Sequence, residues 1–292
     1  MFSELTPQEQ LCLKLSYLPL SIQKKWCCID YFRDKPDENA ISYPAERIAT
    51  ILQIQRNLEK FRQYWEYLTV ERLTDLLKDQ QYITYFSSDY PFLLKQSYQP
   101  PIVLYYIGNL ALIHQPQIAF VGSRQACNYS LQILETLIPP LVAKDFCITS
   151  GLAKGVDVHS HLTAMNHQGH TIGVIGCGLD ICYPKEVLST YERMKGQQLI
   201  ISEYPKGTLV KRYHFPLRNR IIASLSQGVC VIEAKEKSGS LITAQIALDE
   251  GRQVFIVPGD VLSGRFNGGL KLIQEGAKCV MNAWDILEEF SY

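Results

Sequence analysis

From Gln117 onward, continuous apolar, β-branched runs alternate with glycine turns and with stretches in which apolar residues recur every three or four positions. The strand-like runs read IAFVG, CITSG, HTIGVIG, QLIISEY, GVCVIEA, QVFIVPG and KCVM. Between them lie SLQILETLIPPLVAK, VDVHSHLTAMNHQ, LITAQIALDEG and GLKLIQEG, which carry helical spacing. A strand that is apolar at every position is buried on both faces. The alternation therefore predicts an α/β domain over 117–292, a doubly wound, mostly parallel sheet. Residues 1–80 have a different pattern: Ile48, Ile51, Leu52 and then Leu73, Leu76, Leu77 recur at helical spacing, and valine is almost absent. They predict a small helical domain. Residues 81–116 hold short extended pieces broken by proline turns, such as YITYF and QPPIVLYYIGN, and are expected to form a bridging extension.

Composition narrows the function classes. The 292 residues carry 29 Lys and Arg against 29 Asp and Glu, and the apolar share is 47%. That is an ordinary globular composition without the overall basic charge of a histone-like binder, although a locally basic groove stays possible. There is no basic segment followed by an apolar run at the start and no long uncharged apolar stretch. Neither a signal peptide nor a membrane span is expected. Nine scattered cysteines, several inside strand-like runs, fit small buried hydrophobes in a reducing compartment, so the cytoplasm is the expected location.

The chemistry is expected at the carboxyl edge of the sheet, where doubly wound folds bind ligands. Four turns there carry glycine, small hydroxyls and cations: Gly122-Ser123-Arg124, then Ser150-Gly151 with Lys154-Gly155, then Gly176 and Gly178 with Lys185, and finally Ser238-Gly239-Ser240. Glycine lets a ligand approach the backbone N–H groups, and helix starts add partial positive charge, a combination suited to phosphate. GVIGCG has the wrong spacing for a dinucleotide fingerprint, and neither a P-loop nor a G-x-S-x-G elbow occurs. No cofactor is expected. His159, His161, His167 and His170 cluster, but without the i, i+4 spacing of a helical zinc site, so no metal is expected either. His161 could face the cleft from its helix. Cys177 is expected to be a small packing residue rather than a nucleophile.

The segment KRYHFPLRNR (211–220) breaks the chain's charge balance. From Tyr204 to Ile232 there are five Lys or Arg and no acid, interleaved with Tyr204, Tyr213 and Phe215. It leaves the sheet at the same edge as the glycine turns, which points to a polyanion whose phosphates meet cations and whose bases meet aromatic faces. Arg218-Asn219-Arg220, at an expected helix start, should face the cleft. Lys211 and Arg212 should be outer charges, and Phe215 is expected in the core.

In order, VGSR, SGLAKGVDVHSH, GVIGCGLDICYPKE, SEYP, HFPLRNRIIASLS, EAKEKSGSLITAQIALDEGR, VPGD and LIQEGAK resemble the DNA-processing protein A family, DprA or Smf, across residues 80–286. The resemblance implies a Rossmann-like domain that binds single-stranded DNA, protects incoming strands, forms homodimers through its C-terminal part, loads a RecA-type recombinase in natural transformation, and has no catalytic activity. By position it assigns phosphate to Gly122, Ser123, Arg124, Lys154, Lys185, Arg218, Asn219 and Arg220. The Ser238-Gly239-Ser240 turn and Thr243 would close the far wall. The N-terminal helices would correspond to a sterile-alpha-motif-like domain. Many members add a C-terminal winged helix; this chain stops without one, which leaves duplex binding open. The main alternative is a phosphoribohydrolase-like nucleotide-processing enzyme on a similar sheet. It would need a glutamate where Ile246 stands. A small-nucleotide sensor is the other alternative.

Overall fold

The computed structural model describes residues 2–290. The chain divides into two compact units, one of Met1–Tyr105 with Glu203–Lys206, the other of Tyr106–Ser202 with Gly207–Tyr292. The expected bridging segment 81–116 is thus split at Tyr105, its first part belonging to the helical unit.

The first unit holds α1 (Pro7–Ser16), α2 (Ile22–Arg33), α3 (Ala45–Ile51), α4 (Leu58–Tyr67), α5 (Val70–Leu77), β1 (Gln81–Thr84) and α6 (Phe92–Lys95), and β2 (Val103–Gly108) starts in it. Thr6 opens α1 with a reciprocal capping box to Glu9, satisfying two N–H groups that a helix start leaves orphaned. From Leu11 to Ser16 every residue of α1 is buried, which makes it the unit's central helix. Even Lys14 is buried. It donates to Ile41 O at 3.2 Å and lies 4.0 Å from the Trp65 ring, and burial lowers its pKa to about 8.

The second unit runs β3 (Gln117–Gly122), α7 (Asn128–Val142), β4 (Cys147–Ser150), α8 (Val156–Asn166), β5 (Thr171–Ile175), α9 (Leu188–Gln197), β6 (Leu199–Ser202), α10 (His214–Leu225), β7 (Gly228–Glu233), α11 (Gly239–Asp249), β8 (Gln253–Ile256), α12 (Asn267–Gln274), β9 (Lys278–Cys279) and α13 (Trp284–Leu287). The strand order is β6-β5-β4-β3-β7-β8-β9, with every pair parallel. Helices α7 and α8 cover one face, packing Leu134, Leu137, Ile138 and Ala164 on Ile118, Phe120, Ile148 and Phe255. Helices α10 and α11 pack on each other and cover the other face. A fully buried side chain such as Phe120 stabilises the fold by about 2–3 kcal/mol.

The order reverses between β3 and β7, so their carboxyl ends flank a topological switch point. At Gly122, an added Cβ would stand 2.6 Å from Val156 of α8, so only glycine lets helix and strand approach this closely.

Candidate nucleic-acid interface

Two adjoining cavities, of about 640 and 690 Å³, open beyond the carboxyl ends of β3, β4, β5 and β7. They share Arg124, Ala153, Tyr183, Phe215 and Arg218, and so form two compartments of one groove. The first is walled by the Gly151–Lys154 turn, by Val174–Cys177 and by Tyr183–Glu186. The second is walled by Gly122-Ser123, the Ser238–Ser240 turn and Thr243.

Helix α10 supplies the partition. Phe215, Arg218, Asn219 and Ile222 follow i, i+3, i+4, i+7 spacing, which places them on one helical face, and all four line the second compartment. The helix starts at His214, whose Nδ1 lies 2.9 Å from Gly176 O, and Pro216 is tolerated because it falls in the first turn. Phe215 is half-buried. Its ring stands 5.9 Å from the Tyr183 ring at 40°, with the Arg124 guanidinium carbon 5.4 Å from its centroid. An aromatic pair beside a cation can take a base face and its phosphate together.

The structure separates the expected site residues into two sets. Gly122, Ser123, Arg124, Gly151, Lys154, Gly176, Lys185, Arg218, Asn219, Ser238, Gly239, Ser240 and Thr243 line the groove. Lys154 is paired with Glu186, which lowers the pKa of that exposed carboxylate. Asn219 Nδ2 donates to Gly239 O at 3.3 Å and ties α10 to the serine turn, where the Ser238 and Ser240 hydroxyls are 2.8 Å apart. Arg218 is a floor residue, only 6% exposed, and its Nη1 donates to Val174 O at 2.7 Å. Gly151 makes room for it, since a Cβ there would fall 1.6 Å from Nη1.

The second set lies outside the lining of both cavities. Ser150 is fully buried and spends its hydroxyl on Phe120 O at 2.6 Å. Gly155 serves the backbone instead, with φ +74° and Val156 N donating to Ser123 O. Gly178 N donates to Thr208 O, and Lys211 is exposed with its ammonium 5.7 Å from the Tyr213 ring. Arg220 falls two residues from Arg218, about 200° around the helix, and so leaves the groove face. Phe215 reverses the expectation of core packing because α10 begins before it rather than at Arg218. Arg212, expected to be outer, lines the second compartment, as do Asp157, Glu233 and Lys235.

Cys177 is buried, and burial raises its thiol pKa to about 11, aided by Asp180, so it is a packing residue in the wall. His161 does not reach the groove. It is fully buried, with Nδ1 2.6 Å from Thr171 Oγ1, and that hydroxyl donates to Ile148 O, so the imidazole must donate through Nδ1. Burial, with the nearby Arg218 charge added, lowers its pKa to about 3. The folded pKa is below the unfolded one, so stability is full above about 6.5 and falls as the pH drops below it. Between pH 7 and 5 this residue alone should remove about 2 kcal/mol. Thermal melting across that range should show the loss, and His161→Asn should show a shallower slope. Among the described residues no cluster of His, Cys, Asp or Glu could hold a metal, and no helix is long and apolar enough to cross a membrane.

Residues 81–291 match the family model of DNA recombination-mediator protein A. DNA processing protein DprA of Streptococcus pneumoniae is 45% identical over 203 residues, spanning 70% of this chain and 72% of that one. This chain belongs to the DprA/Smf family. The Bacillus subtilis DprA is likewise 45% identical, over 70% of this chain and 69% of its own. The crystal structure of the S. pneumoniae DprA superposes with a TM-score of 0.88 at 38% identity, covering 99% of both chains. A Helicobacter pylori DprA structure, solved for its single-stranded DNA binding mode, gives 0.66 at 29% identity over 73% of this chain and 96% of that one. The DprA fold therefore extends through both units, including the helices that lie outside the family model.

Proposed function

We propose that this DprA/Smf protein binds single-stranded DNA in the α10 groove, protects incoming strands, and passes them to a RecA-type recombinase in natural transformation and recombination. It acts as a homodimer through the C-terminal part of the Rossmann-like unit, and as a binding protein rather than an enzyme. The observation that carries this reading is the groove itself: Arg124 over Phe215, with Tyr183 alongside, at the switch point of the sheet. Arg124, Lys154, Lys185 and Arg212 provide phosphate contacts, Arg218 sets a positive floor, and Phe215 and Tyr183 offer base faces. Glycine and serine N–H groups of Gly122-Ser123 and Ser238–Ser240 complete the walls. The single-strand binding of the H. pylori relative supports a single-stranded DNA ligand.

Stacking on an aromatic is worth about 1–3 kcal/mol per base. Phe215→Ala should therefore weaken single-strand binding by about tenfold or more and leave duplex binding nearly unchanged, measured by fluorescence polarisation. The general test is a salt titration of single-stranded against duplex DNA. The single strand should bind more tightly, with affinity falling steeply as salt rises. Equal binding of both forms, or no salt dependence, would remove the proposal.

A further inference from the structure

The second compartment contains a carboxylate that a purely phosphate-binding groove has no use for. Asp157, in the first turn of α8, lines it together with Ser123, Arg124 and Arg218, and is only 8% exposed. Its Oδ2 accepts the Ala153 N–H at 3.3 Å. The other acid there, Glu233, is fully engaged: it accepts from Cys127 N at 2.9 Å, Ser130 Oγ at 2.6 Å and Arg265 Nη1 at 2.9 Å. Burial alone would raise the Glu233 pKa, yet these donors hold it below the usual carboxylate range. Asp157 behaves in the opposite way. Burial raises its pKa, and Arg218, the Ala153 N–H, the Ser150 hydroxyl and Arg124 offset this only in part. Its carboxylate faces the compartment beside the two arginines, so any anion that enters meets it.

The cost grows with the charge of the ligand. A phosphodiester within a strand carries one negative charge, whereas a terminal phosphate carries nearly two at neutral pH. At a separation of about 12 Å and an effective dielectric near 20, one additional like charge lowers affinity by on the order of tenfold. We propose that Asp157 makes the groove selective for the singly charged phosphodiesters inside a strand, against the doubly charged phosphate of a strand end or a free nucleotide. This rests on the single-stranded DNA reading above. It gives the groove a preference for strand interiors, set by one side chain on its floor.

Asp157 also holds the Ala153 N–H, and a purely structural role would end there. Asp157→Asn keeps an acceptor for that N–H and removes the charge, so it separates the two roles. The test is competition by 5′-hydroxyl and 5′-phosphorylated thymidine tetranucleotides against a fluorescent single strand, with wild-type and Asp157→Asn proteins. The wild type should gain nothing from the added terminal phosphate, and the variant should prefer the phosphorylated form by about tenfold. A wild-type preference for the phosphorylated competitor as large as the variant's would overturn the proposal. So would a tenfold wild-type preference by itself, which needs no variant to fold. If the fluorescent strand is not bound at all, the DNA reading fails and takes this with it; if it is bound but both proteins rank the competitors alike, selectivity alone fails.

Discussion

Arg124→Glu should cut affinity for single-stranded DNA by on the order of a hundredfold near 0.1 M salt. Arg124 belongs to both compartments, is exposed, and sits over the Phe215 ring. Reversing it would remove the proposed phosphate contact and place a negative charge at the centre of the groove. The loss should be equal across base sequences, because phosphate contacts carry no base information. The salt dependence should become shallower by about one unit of slope. Arg124 lies in the turn between β3 and α7, outside regular structure, so folding stability should change by no more than about 0.5 kcal/mol. Fluorescence polarisation against salt, paired with thermal melting, checks both halves. Unchanged binding with an intact fold would remove Arg124 from the site.

Gly155→Ala should act through the backbone and cost more stability. Gly155 has φ +74° and ψ −126°, a conformation that side-chain-bearing residues rarely adopt. An added Cβ would stand 2.2 Å from Ser123 O and 2.7 Å from Arg124 C, both main-chain atoms that no rotamer change can move away. Strain and clash together should cost about 3 kcal/mol or more. The clash falls on the Ser123-Arg124 turn, whose Ser123 O accepts from Val156 N. The variant should therefore lose DNA affinity as well as stability, though Gly155 itself does not line the groove. Chemical denaturation and binding at a temperature where the variant is folded measure the two losses separately. A stable variant with normal affinity would contradict the role given to this close approach.

The sheet is legible in the sequence because its strands are buried on both faces. Every residue of β5, TIGVI, and of β7, GVCVIE, is buried, and such runs read as continuous apolar segments. Helix α9 is not legible: LSTYERMKGQ is mostly polar and buries only Thr190, Tyr191 and Met194. The boundary between the units is equally hidden, since β2 is one unbroken apolar strand that crosses it.

The site is legible in its turns and not in its facing. Glycines and cations after strands mark Gly122, Arg124, Lys154 and Lys185 because turn chemistry is local. Which side of α10 faces the groove depends on where the helix begins. A start at His214 instead of Arg218 turns Phe215 toward the groove and Arg220 away from it. The i, i+3, i+4, i+7 spacing of Phe215, Arg218, Asn219 and Ile222 was the available signal. Ser150 misleads for another reason: it ends a strand, and its side chain turns into the sheet to meet Phe120 O. Asp157 stays hidden because an acid in the first turn of a helix is ordinary.

In the proposed function, single-stranded DNA lies along the Phe215 face of α10. The most direct measurement is photo-crosslinking of a single strand bearing a photoreactive thymidine analogue, followed by mass-spectrometric mapping of the adducts. Adducts on Phe215 and Tyr183, lost on competition with unmodified single strand, are the predicted result. Adducts confined to residues outside the groove, such as Lys211 or Arg220, with Phe215 and Tyr183 unmodified, would contradict it.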